Sequence, residues 1–270
     1  DLMTGLHTIL IVGCGNMGGA MLKGWLAAGL EPERFTIADP MLQDAPEGVV
    51  LQRELPEDQV FDAVLLGVKP QMLGEVAPLL EKAVRPSTVL LSILAGVELT
   101  ILAERFPRAA GCVRVMPNLA AALGKSPIAM VAGGLDEALR EEVSALMAPL
   151  GTAEWLENEA LMDAVTALAG SGPAFVYRFI DALAAGAAEL GLPADTAQRL
   201  ALATVEGASL LAASSPHSPG ELARRVASPG GTTQAGLDTL DQNAALERLI
   251  EATLRSARDR SAEMAAESRR

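Results

Sequence analysis

The sequence predicts an α/β protein with a doubly wound parallel sheet in its first half and an all-helical second half. Short, continuous apolar runs alternate with amphipathic segments up to about residue 156, which is typical of a parallel sheet covered by helices on both faces. Beyond that point the strand signals stop and alanine becomes abundant. We therefore expect two domains, residues 1–156 and residues 157–270.

Six compact runs of β-branched and aliphatic residues predict the strands of the N-terminal sheet. Segments with apolar residues at three- and four-residue spacing lie between several of these runs and predict the covering helices. The expected strands cover residues 7–13, 35–40, 62–68, 87–93, 111–116 and 127–133. The expected helices cover residues 18–29, 70–84 and 98–107.

The C-terminal half shows helical spacing throughout. Its expected helices cover residues 159–170, 172–191, 194–214, 218–227 and about 243–268. Their faces are flat and rich in alanine, and such faces need partners before they form a core. We therefore expect this half to assemble the chain into a homodimer.

Composition and charge exclude several classes of protein. The 21 basic and 34 acidic residues give a formal net charge of −13, which argues against binding to nucleic acid or to an anionic membrane surface. Cys14 and Cys112 are isolated thiols and His7 and His217 lie far apart, so we expect neither a disulfide framework nor a metal site. No apolar run reaches the ~18 residues of a membrane span, and the N-terminus lacks the pattern of a signal peptide. The sequence predicts a cytoplasmic protein.

A glycine-rich turn follows the first predicted strand directly. The stretch ILIVGCGNMGGAML places the pattern GxGxxG between that strand and a helix, the context in which the pattern indicates dinucleotide binding. Gly13 permits the tight turn, Gly15 lets a pyrophosphate approach the backbone, and Gly18 lets helix and strand pack closely. The N-terminal half is therefore predicted to be a Rossmann-like NAD(P)-binding domain, and the alternative is a glycine turn without a nucleotide. The candidate cofactor-binding residues here are Gly13, Cys14, Gly15, Asn16, Met17 and Gly18.

Asp39 stands at the end of the second predicted strand, 26 residues after Gly13. A carboxylate at this position normally accepts the hydroxyls of the adenosine ribose and repels a 2′-phosphate. No Arg or Lys follows before Arg53, so the sequence shows no clamp for a 2′-phosphate and favours NAD slightly over NADP. The alternative is that Asp39 only starts the Asp39-Pro40 turn.

Three further turns leave predicted strands at their carboxyl ends, where ligands bind in open α/β sheets. They lie in the stretches LLGVKPQML, LLSILAGVEL and VRVMPN. Each could be a turn without a ligand, but together they favour a dinucleotide site. The candidate residues are Gly67, Val68, Lys69, Pro70, Ile93, Leu94, Ala95 and Asn118.

A second candidate site interrupts the helical half at SPGGTT, residues 228–233. A simple turn needs one glycine, whereas this stretch has two glycines and three hydroxyl groups just before a new helix. That composition is typical of a small anion-binding loop. The alternative is that Thr232 or Thr233 only caps the helix.

Six stretches of the chain resemble the pyrroline-5-carboxylate reductase family. They are GCGNMGGAML, GVKPQ, SILAG, VRVMPN, DAVTALAGSGPAFVY and SPGGTTQAGLDTLD, in that order, within residues 13–241. The resemblance implies reduction of 1-pyrroline-5-carboxylate to L-proline, the last step of proline synthesis, with NADP or NAD as cofactor. It also implies a helical dimerisation domain, often assembled further into a ring of dimers.

The resemblance also implies which residues bind the substrate. The substrate carboxylate would lie in the SPGGTT loop, and the hydroxyl of Thr233, the catalytic candidate, would bond the ring nitrogen. The chain departs from the family at Leu94 and at Leu119-Ala120, which replaces the usual Thr-Pro; both departures lie near the expected nicotinamide position. The implied substrate-binding residues are Glu159, Thr166, Ser228, Gly230, Gly231, Thr232 and Thr233.

Two alternative functions belong to different classes. A β-hydroxyacid dehydrogenase would share the glycine-rich start and the helical half, but it places a catalytic lysine where this chain has Val176. Oxidation of an alcohol needs such a base, whereas reduction of a protonated imine does not. A non-catalytic NAD(P)-sensing protein would have no need of a second anion site. Loss of NAD(P)H absorbance on addition of pyrroline-5-carboxylate distinguishes these alternatives from the reductase.

Overall fold

The N-terminal half alternates strands and helices along the chain. A computed structural model describes residues 5–269, and over residues 5–155 it contains eight strands and four α-helices. In chain order these are β1 (Ile9–Val12), α1 (Asn16–Ala27), β2 (Phe35–Ala38), β3 (Val50–Gln52), β4 (Ala63–Leu66), α2 (Leu73–Leu80), β5 (Val89–Ser92), α3 (Leu99–Arg105), β6 (Gly111–Met116), β7 (Ser126–Gly133), α4 (Glu137–Met147) and β8 (Gly151–Trp155).

All these strands form one sheet in the order β3-β2-β1-β4-β5-β6-β7-β8. Neighbouring strands are parallel except β6 and β7, which are antiparallel. The order 3-2-1-4-5-6 is that of dinucleotide-binding sheets, and the direction of the chain across the sheet reverses between β1 and β4. The predicted α/β fold class is confirmed.

The central strands are continuous apolar runs because both of their faces are covered. Every residue of β1, β2, β4 and β5 is buried. Trp25 of α1 stacks on Phe35 of β2 with 5.5 Å between ring centroids, and Trp25 Nε1 donates a hydrogen bond to the carbonyl of Leu146 at 2.7 Å. These buried contacts hold α1 against the sheet and so fix the glycine-rich turn that joins β1 to α1.

The structure adds β3, β8 and α4 to the predicted elements. Both added strands lie at the edges of the sheet. In β8 the side chains alternate between half-buried and exposed, and in β3 Val50 is exposed. Edge strands are short and partly polar, so they lack the apolar run by which the central strands are recognised.

The C-terminal half is helical, as the sequence predicts. Its elements are α5 (Met162–Val165), a π-helix (Thr166–Gly170), α6 (Gly172–Glu189), α7 (Ala194–Ser214), α8 (Pro219–Val226), α9 (Thr232–Asp241) and α10 (Ala245–Ser268). By its contacts the described chain divides into two compact units, residues 5–170 with 258–269 and residues 171–257. Over the range 5–269, no helix combines the length and the apolarity needed to cross a membrane.

The second unit has a very small core of its own. Its buried hydrophobic cluster within the described residues consists of Ala184, Ala197 and Ala201. Large apolar side chains are open to solvent in the single chain; Tyr177 is 68% exposed and Leu211 is 71% exposed. Because monomeric proteins rarely expose contiguous apolar surface of this kind, these helices are expected to pack against another copy of the chain.

Candidate functional site

The turn between β1 and α1 is shaped to receive an anion. Gly13 has a φ of +78°, and a Cβ atom there would lie 3.0 Å from the backbone nitrogen of Val68. At Gly15, the N-cap of α1, no atom beyond the immediate turn lies within 4 Å of the position a Cβ would take. The first N–H groups of a helix have no partner within the helix, so those of Asn16 and Met17 face an open space. A pyrophosphate fits this cradle.

Asp39 holds this cradle together from the end of β2. Its Oδ2 accepts the N–H of Cys14 at 2.9 Å, and its Oδ1 accepts those of Met41 at 2.8 Å and Leu42 at 3.2 Å. Burial, and secondly the Asp39 carboxylate, raise the pKa of the Cys14 thiol. A carboxylate offers about four acceptor positions, so one remains for a ribose hydroxyl. The contact of Asp39 with the ribose stays a prediction.

A cavity of about 420 Å³ opens beside the cradle, at the carboxyl ends of β1, β2 and β4. Open α/β sheets bind their ligands where the strand order reverses, and apolar walls suit a flat base. The cavity therefore lies where the adenosine half of a dinucleotide is expected. Its apolar lining includes Val12, Ala38, Leu55, Val68, Val76 and Leu79, and its charged lining is Arg53, Glu54, Glu57 and Lys82.

The candidate residues in the turns after β4 and β5 differ in their exposure to solvent. The N–H of Gly67 donates to the carbonyl of Val12 at 2.8 Å, and that of Ile93 to the carbonyl of Leu66 at 3.1 Å, so both turns continue the sheet. Leu94 is only 4% exposed and packs in a hydrophobic cluster, so this departure from the family fills the core. Of the remaining candidates, Val68 is partly buried, whereas Lys69, Pro70 and Ala95 are exposed.

Asn118, after β6, uses its polar groups to hold the backbone. Its N–H donates to Ser126 Oγ at 2.9 Å, its Nδ2 donates to the carbonyl of Ala169 at 3.1 Å, and its Oδ1 accepts the N–H of Ala120 at 2.9 Å. Ala169 belongs to the π-helix Thr166–Gly170, a form of helix that is frequent at functional sites. Asn118 therefore positions the π-helix, and its contact with a cofactor stays a prediction.

Glu159 and Arg114 form a partly buried ion pair that the sequence did not reveal. Arg114 Nη1 donates to Glu159 Oε2 at 2.9 Å, and the same oxygen accepts the N–H of Leu99 at 2.8 Å. The side chain of Arg114 is 8% exposed and that of Glu159 is 27% exposed. In the sequence this pair was indicated only by the single charged residue inside the apolar run GCVRVM of β6.

The hydroxyl of Thr166 donates to the carbonyl of Met162 at 2.9 Å. Contacts of Glu159 and Thr166 with the substrate stay predictions.

Glu159→Ala is expected to destabilise the protein by about 3 kcal/mol, because it leaves the Arg114 guanidinium buried without its carboxylate. Denaturant unfolding followed by circular dichroism measures the change. The matched control is Glu98→Ala, which removes the exposed ion pair between Glu98 and Arg269 (3.1 Å) and should change stability by less than about 1 kcal/mol. Equal losses in the two variants would show that the Arg114 guanidinium is not left uncompensated by the loss of Glu159.

The SPGGTT loop forms a turn that leads into a helix. Gly230 has a φ of +70°, and the N–H of Gly231 donates to the carbonyl of Ser228 at 2.9 Å. Gly231 is the N-cap of α9, and Thr232 and Thr233 are the first two residues of that helix. The alternative that Thr232 or Thr233 caps the helix is therefore wrong, because the capping position is one residue earlier.

The loop presents hydrogen-bonding groups that the described part of the chain does not use. Ser228, Thr232 and Thr233 are exposed, and between residues 5 and 269 their hydroxyls have no hydrogen-bond partner. The N–H groups of Thr232, Thr233 and Gln234 are also free, because the first turn of a helix offers them no carbonyl. Free N–H groups at a helix start, with hydroxyls beside them, form a site for a carboxylate-sized anion.

The predicted site residues are divided between the two compact units. The glycine-rich turn, Asp39, Asn118, Glu159 and Thr166 belong to the first unit, and the SPGGTT loop belongs to the second. Among the residues that the structure describes, no group of three or more His, Cys, Asp and Glu side chains could hold a metal ion.

The sheet order, the glycine-rich cradle and the adjoining cavity are those of the dinucleotide-binding α/β proteins. A family model described as "Pyrroline-5-carboxylate reductase dimerisation" matches residues 159–264, and one described as "NADP oxidoreductase coenzyme F420-dependent" matches residues 8–96. The chain belongs to the pyrroline-5-carboxylate reductase family, because matches to such enzymes extend over nearly its whole length.

Individual similar proteins support this assignment. The pyrroline-5-carboxylate reductase of Pseudomonas aeruginosa is 36% identical, over 95% of this chain and 96% of that protein. The enzyme of the same name from Synechocystis is 38% identical, over 94% and 97% of the two chains. The solved structure of a pyrroline-5-carboxylate reductase from Coxiella burnetii has a TM-score of 0.88 at 27% identity, over 96% of this chain and 98% of that one. These matches favour the reductase over the dehydrogenase alternative, and the match to a dimerisation domain indicates a homo-oligomer.

Proposed function

We propose that this chain reduces 1-pyrroline-5-carboxylate to L-proline with NADPH or NADH. The observation that supports this function most strongly is the presence of two different anion sites in a member of this family. One is the glycine-rich cradle at the strand ends, and the other is the hydroxyl-bearing loop at the start of α9. The first suits the pyrophosphate of a dinucleotide, and the second suits the carboxylate of a small substrate.

The N-terminal residues bind and orient the cofactor. The N–H groups of Asn16, Met17 and Gly18 hold the pyrophosphate at the positive end of α1. Asp39 accepts one ribose hydroxyl while it keeps the cradle in shape. The turns after β4, β5 and β6 flank the rest of the dinucleotide. The bound cofactor supplies the hydride.

The SPGGTT loop binds the substrate carboxylate through the N–H groups at the start of α9. The exposed hydroxyl of Thr233 bonds the ring nitrogen. Glu159 and Thr166 belong to the other compact unit, and their contact with the substrate is an expectation from the family resemblance. The loop contains no titratable side chain, so it supplies no strong acid. The ring nitrogen therefore arrives protonated, which makes the imine carbon a good hydride acceptor, and the loop contributes mainly orientation.

The proposed domain boundaries follow from the functions assigned to the two halves of the chain. Residues 1–156 form the NAD(P)-binding domain and residues 157–270 form the dimerisation and substrate-binding domain; the dimerisation match that begins at residue 159 supports this boundary. The homo-oligomer is a dimer, which assembles further into a ring of dimers. The isolated thiols of Cys14 and Cys112 support a location in the reducing cytoplasm.

The deciding experiment follows the absorbance of NADPH and of NADH after addition of pyrroline-5-carboxylate to the purified protein. We expect both cofactors to be consumed, with one molecule of proline formed for each molecule of cofactor oxidised. A parallel reaction without substrate gives the background. Binding of NAD(P)H with no consumption above this background would instead identify a non-catalytic NAD(P)-binding protein.

A further inference from the structure

The end of β3 places the cation of Arg53 beside Asp39, although the two residues lie far apart in the sequence. Strands β2 and β3 are parallel, with Ala38 opposite Gln52. The N–H of Asp39 donates to the carbonyl of Gln52 at 3.0 Å, so the next residue, Arg53, leaves the sheet next to Asp39. In open α/β sheets the residues at this corner read the 2′ position of the adenosine ribose.

The guanidinium of Arg53 is held in place by the turn that follows β2. Its Nη1 donates to the carbonyl of Leu42 and, at 3.4 Å, to that of Pro40; its Nη2 donates to the carbonyl of Gln43 at 3.4 Å. An arginine has five N–H donors, and these carbonyls account for three of them. Among the residues that the structure describes, the Nε–H and one Nη2–H have no acceptor, and Nε and Nη2 share one edge of the guanidinium plane. That edge is the fork that binds two oxygens of one phosphate.

Arg53 also lines the cavity that the adenosine half is expected to occupy. The second cation of that lining, Lys82, is paired with Glu57 at 3.4 Å. Glu54 also lines the cavity, and Asp39 lies beside it. Because these negative charges offset the positive ones, the lining as a whole attracts a phosphate dianion only weakly. A directed, bidentate contact would select a phosphate there, and Arg53 is the cation of the lining that has no carboxylate partner among the described residues.

We propose that Arg53 binds the 2′-phosphate of NADP(H) and makes the chain prefer NADPH to NADH. This inference rests on the proposed cofactor role. It reverses the slight preference for NAD that Asp39 suggests in the sequence, because the pairing of β2 with β3 places a cation beside that carboxylate. The Asp39 carboxylate itself is directed into the turn by three backbone N–H groups.

The test compares two ligands that lack the nicotinamide, 2′-phospho-ADP-ribose and ADP-ribose, by isothermal titration calorimetry. In the unaltered protein, 2′-phospho-ADP-ribose should bind more tightly. Arg53→Gln should weaken its binding about ten- to a hundredfold, the range expected for loss of hydrogen bonds to a charged group. Binding of ADP-ribose should change less than about twofold. Arg53→Lys, which keeps the charge but loses the fork, should give an intermediate loss.

Arg108→Gln is the matched control, since it removes one positive charge from an exposed residue just before β6, at the amino end of that strand. It should leave both dissociation constants unchanged. Equal weakening of both ligands by Arg53→Gln would show that Arg53 only supports the turn, and no weakening of either would show that it does not touch the nucleotide; either result overturns the proposal. If neither ligand binds the unaltered protein, the proposed cofactor role is wrong, and the proposal for Arg53 fails with it.

Discussion

Gly15→Val is expected to remove measurable NAD(P)H binding and leave the protein folded. No atom beyond the immediate turn lies within 4 Å of the Cβ position at Gly15, so the chain itself accommodates the new side chain. The branched group would instead occupy the space in front of the first N–H groups of α1, where the pyrophosphate must lie. Fluorescence titration with NADPH should show at least about a hundredfold weaker binding, the loss expected when two or more hydrogen bonds to a charged group are prevented.

Gly74→Val provides the control for this effect. Gly74 lies in α2, also has open space at its Cβ position, and is exposed. Gly15 is the N-cap of α1 with extended backbone angles, and Gly74 is the second residue of α2, so neither substitution requires a positive φ and both variants should remain folded. Only Gly15→Val should lose the cofactor. Normal affinity in Gly15→Val would place the pyrophosphate elsewhere and remove the basis for the cofactor site.

Thr233→Ala is expected to lower kcat/KM for pyrroline-5-carboxylate about ten- to a hundredfold, because a hydrogen bond to a charged group is worth roughly 1.5–3 kcal/mol. The substitution removes an exposed hydroxyl that makes no hydrogen bond within the described residues, so the fold loses no contact. The N–H of residue 233 remains in place. The dissociation constant of NADPH should therefore change less than about twofold, since only the substrate's hydrogen bond is removed.

Thr239→Ala is the matched control in the same helix. Thr239 is exposed, and its hydroxyl donates to the carbonyl of Ala235 at 3.4 Å, so this variant loses a threonine hydroxyl of α9 outside the loop. Its kcat/KM should match that of the unaltered protein. If both variants lose activity equally, or if Thr233→Ala weakens NADPH binding and leaves kcat/KM for the substrate intact, the substrate site is not at this loop.

The strand–turn–helix around Gly13 could be predicted from the sequence because each of its determinants is local. A buried apolar strand, a positive φ at one glycine and an open helix start all lie within residues 9–18. The central strands were predictable for the same reason, since burial of both faces makes every residue apolar. Edge strands β3 and β8 were missed because none of their residues is fully buried and some face water, so they lack a continuous apolar run.

Contacts between distant residues could not be predicted in this way. Arg53 reaches the turn after Asp39 only because β2 and β3 pair in a particular register, which the local pattern of β3 does not encode. The ion pair of Arg114 with Glu159 joins residues 45 positions apart. At the SPGGTT loop the composition was sufficient to indicate an anion site, but the capping position of Gly231 depends on where α9 begins.

The three-alanine cluster of the second unit has a thermodynamic consequence. Alanine side chains remove little apolar area from water, so such a cluster offsets only a small part of the conformational entropy that ordered helices lose. Contacts with a second copy of the chain in the homo-oligomer add to this stabilisation, which makes folding of these helices and association parts of one equilibrium. By mass action, the free energy of unfolding then depends on the concentration of the protein. Dilution therefore lowers the free energy of unfolding of such a chain, as a denaturant does for a monomer.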